Sequence, residues 1–194
     1  MPQRLQQLEH WLEDACALTN FTLTPASGDA SFRRYFRVTR ADGSTLIAMD
    51  APPSKESCQT FVDIARDWIQ LGLNVPAIHA EDHDLGFLLL DDLGHTDQLY
   101  LQQLNAANVE QHYADALSAL MRLQTRCQTE GLPAYDQALL LTEMELFREW
   151  LLKQHRGITI STAENAALDK VFALLANNAL EQPQVCVHRD YHSR

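Results

Sequence analysis

The sequence predicts an α+β fold in two parts, a small antiparallel sheet with one long helix followed by a helical part. Residues 21–90 alternate short apolar segments with turn residues and contain a single helical stretch, as sheet-rich regions do. From Asn105 onward the apolar residues recur at helical spacing. One more apolar segment, Val185–Val187, precedes a polar end and predicts a last strand. We therefore expect a sheet-rich lobe over residues 1–93 and a helical lobe over residues 94–194.

The composition limits the partners that the chain can have. Hydrophobic residues make up 46% and charged residues 21% of 194 positions, which is typical of a soluble globular protein. The net charge of −11 leaves no basic face, so we expect no nucleic-acid partner. No run of about 18 apolar residues predicts a membrane span, and the four cysteines form no C-x-x-C pair. Reduced thiols in a cytoplasmic protein fit this pattern.

The elements of the first lobe follow from local patterns. Residues 3–18 carry an apolar helical face. Two strands, Phe21–Pro25 and Phe32–Thr39, flank a turn of small residues, and the dipeptide Asp42-Gly43 predicts a hairpin to a third strand, Thr45–Met49.

A helix and two further strands complete this lobe. Ser54 and Ser57 are candidate caps for the helix. The strands are Val75–His79 and Leu85–Leu90, and the second is apolar on both faces from Phe87 onward, as a central strand is. After a polar hinge we expect three helices, over residues 113–123, 139–155 and 162–179.

The end of the chain reads V-H-R-D-Y-H-S-R. His188 and Asp190, one residue apart after a β-branched segment, match the opening of the kinase catalytic loop, H-x-D-x-x-x-x-N. The Asn of that pattern would fall one residue past Arg194. We therefore expect a chain that stops inside its catalytic loop, with no metal ligand of its own and no activity in this form. The open alternative is a naturally short nucleotide-binding module without transfer activity.

Four stretches occur in the order found in kinases: Ser27–Arg37, Met49–Pro53, Phe87–Gly94 and Val187–His192. Together they resemble the aminoglycoside phosphotransferase branch of the protein-kinase-like two-lobe fold. Within it, the chain is most similar to the anomeric sugar kinases that phosphorylate N-acetylmuramate and N-acetylglucosamine in cell-wall recycling. The resemblance implies ATP, Mg²⁺ and a small-molecule acceptor, an amino sugar in the first place. An aminoglycoside, homoserine or choline-type acceptor stays open, and the acidic balance suits a cationic aminoglycoside.

The resemblance also implies a nucleotide site in the first lobe. The small-residue turn would cover the ATP phosphates with its backbone N–H groups. One of the two arginines after the turn would contact a phosphate, and the other would be a solvated surface residue. The segment after the fifth strand would bind adenine through its backbone, or its two aspartates would cap the next turn. The residues of this site are Ser27, Gly28, Asp29, Ala30, Ser31, Arg33, Arg34, Met49, Leu90, Asp91 and Asp92.

The third strand departs from the kinase pattern. It ends in Ile47-Ala-Met-Asp50, where a kinase offers a Lys to the α- and β-phosphates. Either one of the two arginines replaces this Lys, or ATP is bound without it. Glu56 would pair with the replacing cation, or it would be an exposed glutamate in the first turn of the helix.

The resemblance assigns the remaining roles to the helical lobe. Asp190 would be the catalytic base, and His188 would support the loop through hydrogen bonds. His192 would lie near the acceptor. Glu145 and Trp150 would face the acceptor pocket, since a carboxylate and an indole ring suit a sugar; the alternative for Trp150 is a buried core residue.

Overall fold

The computed structural model describes residues 2–27, 32–94 and 104–192. The chain forms two compact units. One consists of Met1–Cys127 with His192–Arg194, and the other is Gln128–Tyr191.

A five-stranded antiparallel sheet dominates the first unit. Its spatial order is β1-β2-β3-β5-β4, so the last strand in sequence lies between the third and the fourth. The α+β class predicted from the sequence is confirmed. The strands are β1 (Phe21–Ser27), β2 (Arg34–Arg40), β3 (Thr45–Asp50), β4 (Ile78–Asp82) and β5 (Phe87–Asp91).

The hairpin between β2 and β3 forms where the sequence predicts it. Gly43 has a φ of 83°, a left-handed conformation that glycine adopts without steric cost. Its N–H donates to Arg40 O at 3.0 Å, and the carboxylate of Asp42 accepts from the N–H of Ser44 at 2.9 Å. These bonds fix the register of β2 against β3.

The turn before β5 needs a glycine for a second reason. Gly86 has a φ of 71°, and a Cβ atom there would lie 2.0 Å from the carbonyl oxygen of Ala51. The N–H of Ala51 also donates to Gly86 O at 2.8 Å. The chain leaving β3 and the turn entering β5 therefore touch backbone to backbone.

Two helices cover the two faces of the sheet. Helix α1 (Pro2–Asp14) buries its apolar side against one face, and helix α2 (Gln59–Gln70) packs against the other. We call these the α1 face and the α2 face. Side chains alternate between them along each strand, so the α1 face includes Val38, Leu46, Ala48, Phe87 and Leu89, and the α2 face includes Met49, Leu88 and Leu90.

Both helices are shorter than the sequence predicts. α1 ends at Asp14, and the chain beyond it turns through left-handed residues at Ala17 and Asn20. α2 begins after Cys58, whose side chain makes no cap; of the two predicted serines, Ser57 accepts from the N–H of Gln59, the first residue of the helix, at 3.2 Å. The chain before it makes a tight turn in which Lys55 N donates to Pro52 O at 2.8 Å, since two consecutive prolines do not continue a strand or enter a helix interior.

The helices after residue 104 are divided between the two units. Helix α3 (Val109–Arg126) lies in the first unit, where Arg122 donates to Gly72 O at 3.3 Å. The second unit holds α4 (Gln137–Leu146), a π-helical segment (Phe147–His155) and α5 (Thr162–Leu180). None of the helices in the described ranges is long and apolar enough to span a membrane.

In the second unit, the segment over residues 139–155 is helical as predicted but changes its geometry, whereas the predicted strand at Val185–Val187 does not form. The predicted helix over residues 139–155 changes to π-helical geometry after Leu146. Arg148 in this segment forms an ion pair with Asp169 and packs over the ring of Phe172, both on α5, and such contacts are invisible to local periodicity. Residues 185–187 run as irregular chain, because a strand requires a pairing partner and the described residues contribute none.

Candidate functional site

The end of β3 carries a buried carboxylate in place of the expected cation. Asp50 is fully buried and forms ion pairs with Arg34 of β2 and Arg4 of α1. Arg4 also donates to Leu85 O at 2.8 Å and lies over the ring of Phe87 at 4.7 Å. Because a buried carboxylate is stable only when it is paired and hydrogen-bonded, this cluster holds Arg34 on the α1 face.

The neighbouring arginine has a different partner on the other face. Arg33 forms an ion pair with Glu56, and its guanidinium lies 5.6 Å from the ring centroid of Phe61 on α2. The side chains of Arg33 and Glu56 are both largely buried. The expectation that one of the two arginines is a solvated surface residue is therefore wrong, as is an exposed first-turn position for Glu56, which precedes α2.

The apolar residues predicted for the nucleotide site lie on the face of Arg33. Met49 and Leu90 are buried on the α2 face, on the adjacent strands β3 and β5. The structure thus places Arg33, Met49 and Leu90 on one side of the sheet and Arg34 on the other.

Of the predicted phosphate-covering turn, only Ser27 lies within the described residues. Ser27 is the last residue of β1 and lies opposite Tyr35, after an irregularity in the strand pairing. The predicted residues Gly28, Asp29, Ala30 and Ser31 lie outside the described residues.

The carboxylates of the hinge segment bind the sheet. Asp91 accepts from the N–H of Ala77 at 3.0 Å and from Nε2 of His79 at 2.7 Å, and the pair with His79 lowers the pKa of Asp91. Asp92 is paired with Arg37 of β2 and also accepts from the N–H of Gly94 at 2.8 Å. Asp92 therefore caps the following turn, as one of the two alternatives proposed, and in addition pairs with Arg37.

The backbone of the same segment lies just past the sheet. The last residue pair of β3 and β5 is Leu46 with Asp91, so the main-chain groups of Asp92 and Leu93 follow the end of the ladder. With both carboxylates anchored, this backbone is held beside the buried Leu90, a geometry suited to binding the edge of a planar base.

The H-x-D loop lies at the end of the second unit. The ring of His188 accepts from the N–H of Asp190 at 3.4 Å and packs edge-on against Tyr191, with ring centroids 5.3 Å apart. Asp190 itself is exposed. His188 thus contacts the backbone N–H of the predicted base and the ring of the residue that follows it.

The residue between them makes contacts that sequence reasoning missed. Arg189 forms an ion pair with Glu143 of α4, and its guanidinium lies 5.7 Å from the ring centroid of Tyr135. The hydroxyl of Tyr135 donates to the same Glu143 carboxylate. In the sequence, Arg189 stood out only as the residue between His188 and Asp190 of the motif, and no pattern identified Glu143 or Tyr135 as its partners.

The predicted acceptor residues lie on or beside the π-helical segment. Glu145 is near the end of α4, 3.5 Å from the guanidinium of Arg148. Trp150 is 66% exposed, so the alternative of a core residue is wrong. π-Helical geometry is rare and is often found at functional sites. His192 is exposed and belongs to the first unit.

A metal site built from protein ligands needs several donor side chains close together. Within residues 2–27, 32–94 and 104–192, no three His, Cys, Asp or Glu side chains lie close enough to hold a metal ion. Mg²⁺ in kinase sites is commonly held by one or two carboxylates together with substrate phosphates, so this finding concerns only a site built wholly from the described side chains.

The fold matches that of a solved ternary complex. The structure entitled the streptomycin-ATP-APH(2")-IIa ternary complex superposes with a TM-score of 0.52, covering 90% of this chain and 59% of that chain at 10% sequence identity. At this identity the match shows a shared fold only. It confirms the predicted protein-kinase-like architecture.

Curated relatives are more similar in sequence. Proteins named N-acetylmuramate/N-acetylglucosamine kinase from Pseudomonas putida and Pseudomonas aeruginosa are each 44% identical over 98% of this chain. One of the same name from Neisseria meningitidis serogroup B is 36% identical over 97%. The chain spans 58%, 59% and 57% of their respective lengths. The model of the phosphotransferase enzyme family matches residues 22–194, and the chain therefore belongs to that family.

Proposed function

We propose that the protein is an ATP-dependent phosphotransferase that phosphorylates the anomeric hydroxyl of N-acetylmuramate or N-acetylglucosamine. The observation that carries this proposal is the similarity of nearly the whole chain to three relatives named for that activity. Since the chain spans less than three fifths of their length, the activity of the whole protein is inferred from them.

The first unit would bind the phosphoryl donor. Met49 and Leu90 would pack against adenine, and the backbone after β5 would recognise its edge. Arg33 would contact the phosphates through its planar guanidinium, with Glu56 fixing its direction. This assignment replaces the missing β3 lysine with Arg33, the residue just before β2, and it leaves Arg34 to the buried cluster around Asp50.

The second unit would supply the groups for the acceptor. Asp190 would orient the sugar hydroxyl and take its proton late, as the hydroxyl oxygen bonds to the γ-phosphorus and the bond from that phosphorus to the leaving oxygen of ADP breaks. The exposed indole of Trp150 is suited to packing against a sugar ring, and Glu145 would accept hydrogen bonds from sugar hydroxyls.

Magnesium and a cytoplasmic location are included in the proposal. Both rest on the resemblance to kinases of cell-wall recycling, and the location rests also on four cysteines that are free thiols in the structure. We further propose that the boundary between the lobes lies near residue 93, that the acceptor is a small molecule and that the protein has no nucleic-acid partner.

A panel of acceptors tests the function. The complete gene product is incubated with ATP and either amino sugar, and ³¹P NMR is used to detect an acid-labile anomeric phosphate. The methyl glycoside of N-acetylglucosamine, which lacks the anomeric hydroxyl, serves as the matched control and should remain unmodified.

Other acceptors decide between the alternatives. Phosphorylation of an aminoglycoside, homoserine or choline instead of the amino sugars would contradict the proposed substrate. ATP binding without transfer to any acceptor would favour the nucleotide-binding module.

A further inference from the structure

A side-chain cluster in the second unit connects the H-x-D loop to α4. Both oxygens of the Glu143 carboxylate are engaged: Oε1 pairs with Arg189, and Oε2 accepts from the Tyr135 hydroxyl. The same tyrosine ring lies under the Arg189 guanidinium. The three groups therefore contact one another pairwise, which fixes the arginine more firmly than one exposed ion pair does.

The backbone of Arg189 lies in an uncommon conformation. Its φ is 70°, in the left-handed region that residues other than glycine, asparagine and aspartate rarely occupy. Such a conformation persists where surrounding contacts hold it, and it is often found at functional sites. Arg189 directly precedes Asp190, so this backbone angle sets the direction of the next residue.

The anchor for Arg189 is itself well fixed. α4 starts with a side-chain cap, in which Asp136 accepts from the N–H of Leu139 at 3.0 Å. Tyr135 immediately precedes this cap, and Glu143 lies two turns further along the helix. The hydrogen bond from Tyr135 and the pair with Arg189 lower the pKa of Glu143, so the carboxylate carries its charge at neutral pH.

We infer that Glu143 is a positioning residue for phosphoryl transfer: by holding Arg189 in the left-handed conformation, it directs Asp190 toward the acceptor hydroxyl. Tyr135 supports the same contact from below the guanidinium. This inference rests on the proposed function, in which Asp190 is the base. Glu143 does not itself touch the reacting atoms.

A rescue experiment on the complete gene product tests this role. Glu143→Gln should lower kcat about tenfold, because the left-handed backbone loses its support, while the KM for ATP changes less than twofold. Arg189→Gly alone should retain more of the parental kcat than Glu143→Gln does, since glycine adopts this φ without the ion pair. The double variant Glu143→Gln with Arg189→Gly should match Arg189→Gly alone.

The controls separate a positioning role from general destabilisation. Glu149→Gln removes an exposed ion pair with Lys153 in the same unit and should leave kcat unchanged, and thermal unfolding of each variant confirms that it is folded. An unchanged kcat in Glu143→Gln, or a double variant that loses the full tenfold relative to Arg189→Gly, would overturn the inference. If the parent enzyme transfers no phosphate to any acceptor, the proposed function itself fails. Activity in the parent with no effect of Glu143→Gln rejects the positioning role alone.

Discussion

The guanidinium of Arg37 on β2 holds the carboxylate of Asp92, just after β5, with Nε and Oδ2 2.5 Å apart. Only 2% of the Asp92 side chain is exposed. This pairing lowers the pKa of Asp92 from 3.8 to about 2. The contact thus fixes the start of the hinge segment to the sheet, and its strength depends on the ionised carboxylate.

Asp92→Asn should reduce stability at neutral pH and have no effect in strong acid. A carboxyl group with a depressed pKa contributes stability above its unfolded pKa, and that contribution is lost as the pH falls through the folded value. We expect a difference in unfolding free energy of roughly 2 kcal/mol at pH 6, shrinking between pH about 4 and pH about 2. Urea denaturation across this range measures it. Asp67→Asn, at an exposed position of α2, is the control and should change the unfolding free energy little at pH 6.

Replacing Arg33 by glutamine should affect ATP binding, whereas replacing Arg34 should affect stability. Arg33→Gln should weaken ATP binding about tenfold or more, because it removes a charged contact to phosphate, and should change the unfolding free energy little. Arg34→Gln should instead lower the unfolding free energy by roughly 3 kcal/mol, since it leaves Asp50 buried with one partner fewer. Calorimetric titration with ATP and urea denaturation measure the two effects.

Arg66→Gln is the matched control for both arginines. It removes an exposed ion pair with Glu81, worth at most about 1 kcal/mol, and should leave ATP affinity intact. Equal loss of ATP affinity in Arg33→Gln and Arg34→Gln would contradict the separation by sheet face.

Gly86→Ala should destabilise the protein more than Gly43→Ala does. Both glycines have positive φ, so each substitution carries a strain of roughly 1 kcal/mol. Around Gly43 no atom lies within 4 Å of an added Cβ, whereas at Gly86 the Ala51 carbonyl blocks it. We expect Gly86→Ala to cost a further 1–3 kcal/mol, approximately, in urea denaturation. Equal losses would mean that the β3 exit and the turn before β5 do not touch in solution.

Asp190→Asn should lower kcat roughly a hundredfold or more and leave the affinity for ATP unchanged, because the amide cannot accept the hydroxyl proton. Steady-state kinetics with the amino sugar and direct titration with ATP separate the two quantities. The exposed Asp115, which accepts a hydrogen bond from Gln111 on α3, provides the control Asp115→Asn. If Asp190→Asn turned over at the parental rate, Asp190 would not be the catalytic base.

Much of the sheet was predictable because its signals are local. The Asp42-Gly43 turn requires only neighbouring residues, and the run from Phe87 to Leu90 is apolar on both faces because β5 lies between two strands. The changes at Leu146 and at Val185–Val187 were not predictable, since the first accompanies contacts to α5 and the second depends on a pairing partner.

The candidate site was predictable in its residue types but not in its pairings. Periodicity placed Arg33 and Arg34 on opposite faces, yet it could not show which face Glu56 lies on. Asp50 appeared only as the end of a strand, because its partner Arg4 is 46 residues away in sequence. The contact between Glu143 and Arg189 is equally long in range.

The extent of the family match has a practical consequence for the first helix. The family model begins at residue 22, after α1, although α1 contributes Leu8, Trp11 and Leu12 to the core and Arg4 to Asp50. The boundary that defines the family is therefore not the boundary of the folding unit. A fragment trimmed to the family match would keep every residue of the proposed site and lose the helix that covers one whole face of its sheet.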